Sequence, residues 1–155
     1  MKKWWLGAVA VTVAAVCLVT GCGTKPKAAV TSSQFTAAAQ GLSFQTTDLT
    51  SQYADETYVV SVIRAANNSS EVDFFEVLSD DFASAVYDTN YDNVQGLKLP
   101  GAEETTVTQD GYQKYTLKNS GEYWVVIQLG GTVLFGWAPL NKTGALEELI
   151  KQIGY

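Results

Sequence analysis

Apolar and polar positions alternate most regularly in the second half of the chain. Four runs, 104–108, 112–118, 122–129 and 132–137, are separated by Asp110-Gly111, Ser120-Gly121 and Gly130-Gly131. Asp-Gly and Gly-Gly tolerate positive φ and are strong short hairpin signals, so the pattern predicts a four-stranded antiparallel meander ended by Pro139. Residues 123–127 are continuously apolar, which suits a strand inside the sheet. Upstream, 58–64 and 72–78 read as a two-stranded hairpin across the turn chemistry of Asn67-Asn68-Ser69. Tyr58-Val59-Val60 and Phe74-Phe75 are apolar at successive positions, so both faces of the sheet need a cover.

Helical spacing supplies that cover in three places. Phe35, Ala38, Ala39 and Leu42 follow Thr31, Ser32 and Ser33 as candidate caps, with Gly41 as a stop. Ser79-Asp80-Asp81 opens a short helix with Phe82, Ala85 and Val86 on one face. After Thr143 as a candidate cap, Leu146, Leu149, Ile150 and Ile153 repeat at i, i+3, i+4, i+7, with Glu147 and Glu148 early, Lys151 late and Gly154 as the stop. Residues 42–44 read as a short extended piece and 48–56 as a polar loop. The expected fold is α+β: a mostly antiparallel sheet of about six strands, hairpin plus meander, packed with three helices.

The start of the chain follows another pattern. Lys2 and Lys3 precede sixteen residues, 4–19, without formal charge. A helical span of the hydrocarbon core needs about 20 residues, so this run is short for a stable span and fits a secretory signal. Its end, Val19-Thr20-Gly21-Cys22, resembles the lipobox of bacterial lipoprotein signals: an aliphatic residue, two small residues, then cysteine. The resemblance implies that Cys22 is alkylated with diacylglycerol, that cleavage follows Gly21, and that Cys22 becomes the mature N-terminus. Two acyl chains suffice for lasting attachment, where one does not. The implied organisation is a signal peptide over 1–21, a lipidated tether over 22–30, and one globular domain over 31–155. The tether is small and polar with one proline, a flexible composition whose extended reach is a few tens of ångströms at about 3.5 Å per residue.

Processing changes both cysteine and charge arithmetic. Cys17 would leave with the signal and Cys22 would carry lipid, so the domain has no disulfide to form and depends on apolar burial. The mature chain would hold eight basic and sixteen acidic residues, a net charge of minus eight. It has no basic stripe for nucleic acid, and anionic headgroups would repel the domain.

The order of elements, together with the lipobox, Phe35 leading to Gly41-Leu42, Ser79-Asp80-Asp81-Phe82, Tyr115-Thr116-Leu117 before a glycine turn, and the ending Leu149-Ile150-Lys151-Gln152-Ile153-Gly154-Tyr155, resembles a class of small lipoproteins of Gram-positive bacteria. That resemblance implies an extracytoplasmic, lipid-anchored location and a general architecture; the class has no established activity.

Candidate chemistry is narrowed by absences. The chain has no histidine, which excludes a Ser-His-Asp triad and the commonest metal ligand. With no free thiol in the domain, catalysis would rest on carboxylates, a Ser-Lys pair or a tyrosine. Ser-x-x-Lys, Gly-x-Ser-x-Gly and phosphate-loop patterns are missing from the sequence. Glu103-Glu104 and Glu147-Glu148 are adjacent pairs; neighbours on a strand point to opposite faces, so they read as solvated surface. Asp88, Asn90 and Asp92 alternate as in the first half of a calcium loop, but Asn93 replaces the turn glycine and Leu99 the closing glutamate, so a polar loop is the expectation. Tyr87, Tyr91, Tyr112, Tyr115, Tyr123, Trp124 and Trp137 form an aromatic set that suits core packing, and any exposed member would suit a protein or sugar interface.

The expected function is therefore a non-enzymatic, monomeric envelope module without cofactor or metal. It would be anchored to the membrane through diacylglyceryl-Cys22 and would bind an envelope protein or small ligand. The alternative is a carboxylate-dependent hydrolase of wall polymer, which requires two acidic residues converging in a cleft.

Overall fold

A computed structural model describes residues 28–155. The sequence-predicted signal, Cys22 and the tether through Lys27 lie outside the described residues. The domain is a single seven-stranded antiparallel sheet with helices on both faces. In chain order the elements are α1 (Ser32–Gly41), β1 (Gln45–Asp48), β2 (Val59–Ala66), β3 (Glu71–Val77), α2 (Asp80–Gln95), β4 (Glu103–Gln109), β5 (Tyr112–Asn119), β6 (Glu122–Leu129), β7 (Thr132–Pro139) and α3 (Gly144–Gln152). Strand order is β1-β2-β3-β7-β6-β5-β4.

The meander and hairpin form as the turn signals predict, and β3 pairs with β7 to fuse them. The central strand is thus β7, with β6 beside it and paired on both edges. At Ser120-Gly121 both residues have positive φ, 49° and 87°, the mirror-image turn geometry whose twist matches the flanking strands. The strand count is seven instead of about six, because Gln45–Asp48 forms an edge strand on β2. Its sequence, Gln-Thr-Thr-Asp, has no apolar alternation to announce it. The piece expected at 42–44 is instead a turn, with Ser43 at φ 64°.

One face of the sheet is sealed by α1 and α3 over Ile63, Ala65, Val72, Phe74, Val125, Ile127 and Leu134. Thr31 caps α1 in a capping box: its Oγ1 accepts from the Gln34 N–H, and Gln34 Oε1 accepts from the Thr31 N–H. Phe35 stacks on Phe74 with ring centroids 4.6 Å apart. Helix α3 approaches β7 so closely that a side chain on Gly136 would come within 2.9 Å of Leu146 Cδ1. The expected cap does not form, since the Thr143 side chain makes no capping hydrogen bond and α3 is held by its buried stripe.

Among the described residues the other face is covered by α2 and, over β2 and β3, by the helical turn Thr50–Tyr53, whose Tyr53 ring meets Phe75 edge-on at 5.6 Å. Helix α2 is twice as long as its apolar start suggests, running sixteen residues through the segment expected to be a loop. Ala83, Tyr87 and Val94 are its buried positions. Its first turn meets the Gln128 amide, which donates to Asp80 O at 3.2 Å, and its last turn meets β5 and β4, where Gln95 Nε2 donates to Tyr115 Oη at 2.9 Å and Glu104 Oε2 at 3.1 Å. The helix therefore crosses the sheet on a diagonal, from the β6–β7 turn toward the far end of β4. The opposite quadrant, at the far ends of β2, β3, β7 and β6, has no α-helix of the described residues above it.

Candidate functional site

The uncovered quadrant follows from strand parity and register. Trp124 of β6 lies opposite Trp137 of β7, and Trp137 opposite Glu71 of β3. In the next row inward Phe135 lies opposite Asp73, and Asp73 opposite Arg64 of β2. All six side chains therefore point to the α2 face. Glu71, Asp73, Trp124, Phe135 and Trp137 line a shallow pocket of about 160 Å³. The rings form a continuous platform: Trp124 stacks on Phe135 at 5.8 Å and 19°, and meets Trp137 at 6.0 Å and 50°. All three are partly exposed. Among the described residues the buried indole N–H groups of Trp124 and Trp137 have no acceptor, an arrangement that costs desolvation and is uncommon in packed interiors.

Beside the rings sits a short charge network. Arg64 grips Asp73 with two parallel bonds, Nε to Oδ1 and Nη2 to Oδ2, both 2.7 Å. Its third nitrogen reaches Glu71 Oε1 at 3.3 Å. The paired Asp73 carboxylate pushes the Arg64 pKa further up, against the opposing effect of burial. The two acids differ in availability, since the Asp73 side chain is 10% exposed and the Glu71 side chain 48%. Asp73 orients the guanidinium; Glu71 keeps an oxygen facing solvent at the pocket rim. The hydrolase alternative requires two acidic residues converging in a cleft, and Glu71 and Asp73 do share this pocket, because they are two apart on one strand and point to the same face.

The other sequence candidates separate. Tyr87, Tyr112, Tyr115 and Tyr123 are buried core residues, and Tyr91 is partly buried against Tyr115. Asp88, Asn90 and Asp92 stand on α2, not in a loop. Alternate positions on a helix differ by about 200°, so Asn90 points away from the face that Asp88 and Asp92 share and the calcium-like constellation is broken, and Asn90 Nδ2 donates to Val86 O. No group of three or more acidic, histidine or cysteine residues among the described residues could hold a metal ion. Glu103 and Glu104 point to opposite faces, toward Lys118 at 3.6 Å and Lys98 at 2.7 Å. Glu147 and Glu148 are exposed on α3.

Phe135, Glu71, Asp73 and Arg64 are the site residues that the aromatic list lacked. Phe135 is legible in hindsight as the i−2 neighbour of Trp137. The other three come from β2 and β3, which only the β3–β7 pairing brings beside the tryptophans.

No helix of the described residues is long and apolar enough to cross a membrane. No protein-family model matches the chain, and no curated protein matches it. Among solved structures the chain is similar to the extracellular domain of PknH from Mycobacterium tuberculosis, with 12% identity, a TM-score of 0.40, and coverage of 84% of this chain and 96% of that one, a likeness too slight to carry an argument.

Proposed function

We propose that this chain is a lipid-anchored, extracytoplasmic binding module of the cell envelope, held through diacylglyceryl-Cys22, which recognises its ligand on the aromatic platform of β6 and β7. The lipobox resemblance supports the anchor. The platform carries the binding reading: three partly exposed rings lie together beside a carboxylate and a guanidinium, on strands of the sheet. A pocket of about 160 Å³ falls short of the roughly 300–1,000 Å³ that encloses a small-molecule ligand. It suits one sugar ring or one side chain of a larger envelope ligand, lying across the rings.

The platform supplies its own reporter. Trp4 and Trp5 fall within the proposed signal, so the mature chain has only Trp124 and Trp137. Titrating the mature protein with soluble peptidoglycan fragments should shift tryptophan emission, and Trp137→Ala should weaken binding about tenfold or more, equivalent to about 1.4 kcal/mol. If emission does not respond and a photocrosslinker at Phe135 forms no Trp137-dependent adduct in cells, the platform is not a binding site. For the anchor, Cys22→Ala should abolish lipidation and cleavage by the lipoprotein route. A Cys22→Ala protein that is still cut after Gly21 and still partitions into detergent would remove that part of the reading.

A second reading, a carboxylate-dependent hydrolase of wall polymer, draws on the shared pocket of Glu71 and Asp73. It is the weaker one because both Asp73 oxygens accept from Arg64, which commits that carboxylate to holding the guanidinium. Turnover of wall polymer that vanished in Glu71→Gln, with melting unchanged, would put catalysis in place of binding.

A further inference from the structure

The end of the sheet opposite the aromatic platform carries an exposed apolar surface. Leu78 is 66% exposed, Val60 47% and Phe82 42%. Phe82 stacks on Tyr58 with ring centroids 4.9 Å apart and 10° between planes. The backbone draws these residues together, since the Leu78 N–H donates to Tyr58 O and Val59 pairs with Val77. The cluster gathers the start of β2, the end of β3 and the first turn of α2.

The N-terminal part of the domain arrives at this same end. The Val30 N–H donates to Tyr155 Oη, which in turn meets Thr132 Oγ1 at the foot of β7. At Gly130 an added Cβ would lie 3.6 Å from Ala29 Cβ and 3.8 Å from Asp80 Oδ1, so the backbone leaves the domain beside the first residue of α2. Six residues, 23–28, separate Ala29 from Cys22, at most about 25 Å of fully extended chain.

We infer that Leu78, Phe82, Val60 and Tyr58 form a membrane-resting surface that meets the lipid bilayer and points the aromatic platform away from it. This inference rests on the proposed lipid anchor at Cys22. A tether this short confines the domain within a few tens of ångströms of the lipid and gives a weak apolar contact a high effective concentration. It also brings the pole bearing Ala29 nearest the surface, and the exposed leucine, valine and rings are at that pole. Trp137 is five residues along β7 from Thr132, about 17 Å further out at roughly 3.4 Å per residue. Exposed apolar residues occur elsewhere, at Leu97, Leu99 and Leu140. Leu97 and Leu99 belong to the far end, where Leu97 O accepts from Asn119 Nδ2, so they provide an internal contrast.

The electrostatics define the kind of membrane contact. Asp55, Glu56, Asp80 and Asp81 are exposed around the apolar cluster, while Lys25 and Lys27 belong to the tether. Acidic side chains oppose anionic headgroups within a screening length of about 10 Å. The contact should therefore be closest on zwitterionic lipid and should strengthen on anionic lipid as salt is raised.

The test uses the acylated mature protein, which has no thiol other than lipidated Cys22, so one introduced cysteine can be labelled alone. Leu78→Cys and Leu99→Cys proteins carrying an environment-sensitive fluorophore are reconstituted on phosphatidylcholine vesicles with and without brominated lipid. The Leu78 probe should be blue-shifted and quenched at least threefold more than the Leu99 probe, and Val60→Cys should reproduce it. Equal quenching at both poles, or stronger quenching at Leu99, on vesicles that retain the protein overturns the inference while leaving the anchor intact. Failure of the protein to partition with vesicles removes the anchor itself, and the inference with it.

Discussion

The two faces of the sheet are made from the same strands and are closed differently. Under α1 and α3 the inward residues are Ile63, Ala65, Val72, Phe74, Val125, Ile127 and Leu134, and the two helices bury all of them. Under α2 the inward residues start as Val62, Phe75 and Val133 and end as Arg64, Asp73, Phe135, Trp124 and Trp137. The diagonal helix and the Tyr53 ring cover the first group, and the second is left partly exposed, with no α-helix of the described residues over it. The difference teaches that the sealed face gives the domain its stability, while the half-open face has large side chains positioned by a sheet that does not need them buried. A domain without disulfides can leave such a quadrant partly exposed because the opposite side buries a large continuous apolar core.

The strongest way to break this comparison is to cut into the sealed face. Leu149 is fully buried on α3, and Leu149→Ala should cost about 2–5 kcal/mol through lost burial and the cavity left behind. Trp137→Ala, on the open face, should cost much less. Chemical denaturation at neutral pH measures both. Equal losses would mean that the open quadrant belongs to the structural core, and a loss below about half a kcal/mol for Leu149→Ala would mean that α3 is not docked.

A pH titration sharpens the contrast more gently. Burial pushes Tyr87, Tyr115 and Tyr123 up to about 12, and for Tyr115 the hydrogen bond to Glu104 adds to the effect. A folded pKa above the unfolded one means that the neutral form is favoured in the folded chain. The associated stability is complete below about pH 10 and is lost as pH rises from there through about 12. After allowance for partial exposure, the loss should be roughly 1–2 kcal/mol per tyrosine. Tyr123 belongs to the sealed face and Tyr87 and Tyr115 to the covered part of the other. Tyr123→Phe should therefore flatten the alkaline decline in denaturation midpoint, whereas Trp137→Ala should leave its slope unchanged.

The unequal faces also set what the sequence could reveal. Asp110-Gly111, Ser120-Gly121 and Gly130-Gly131 are local chemistry with a local consequence, so the meander was legible. The α3 stripe was legible for the same reason. The length of α2 was not, because its second half is written in Asp, Thr, Asn and Tyr. Its only packing signal there is the spacing Tyr87, Tyr91, Val94, which is easily mistaken for loop polarity. Trp124 and Trp137 could be suspected from their type, but their exposure depends on where a helix crosses the opposite strands. Arg64, Asp73 and Glu71 depend on a strand pairing between residues more than sixty positions apart, and no local pattern records it.

The smallest expected effect separates the two acids of the open face. Glu71 and Arg64 are 3.3 Å apart with 48% and 40% of their side chains exposed, and a pair so wet contributes about 0–1 kcal/mol. Asp73 is 10% exposed and holds Arg64 through two bonds of 2.7 Å. Asp73→Asn should cost about 1–3 kcal/mol, because the charge-assisted pairing between the mostly buried Asp73 and Arg64 is lost. Glu71→Gln should shift stability by no more than about 0.5 kcal/mol in either direction, while changing the charge that a ligand meets at the rim. The same proteins measured by urea denaturation and by tryptophan emission on ligand titration give the answer. A Glu71→Gln loss above about 1 kcal/mol would show that Glu71 is committed to holding Arg64, and the open face would then lack the free carboxylate that recognition of a hydroxyl-bearing or cationic ligand requires.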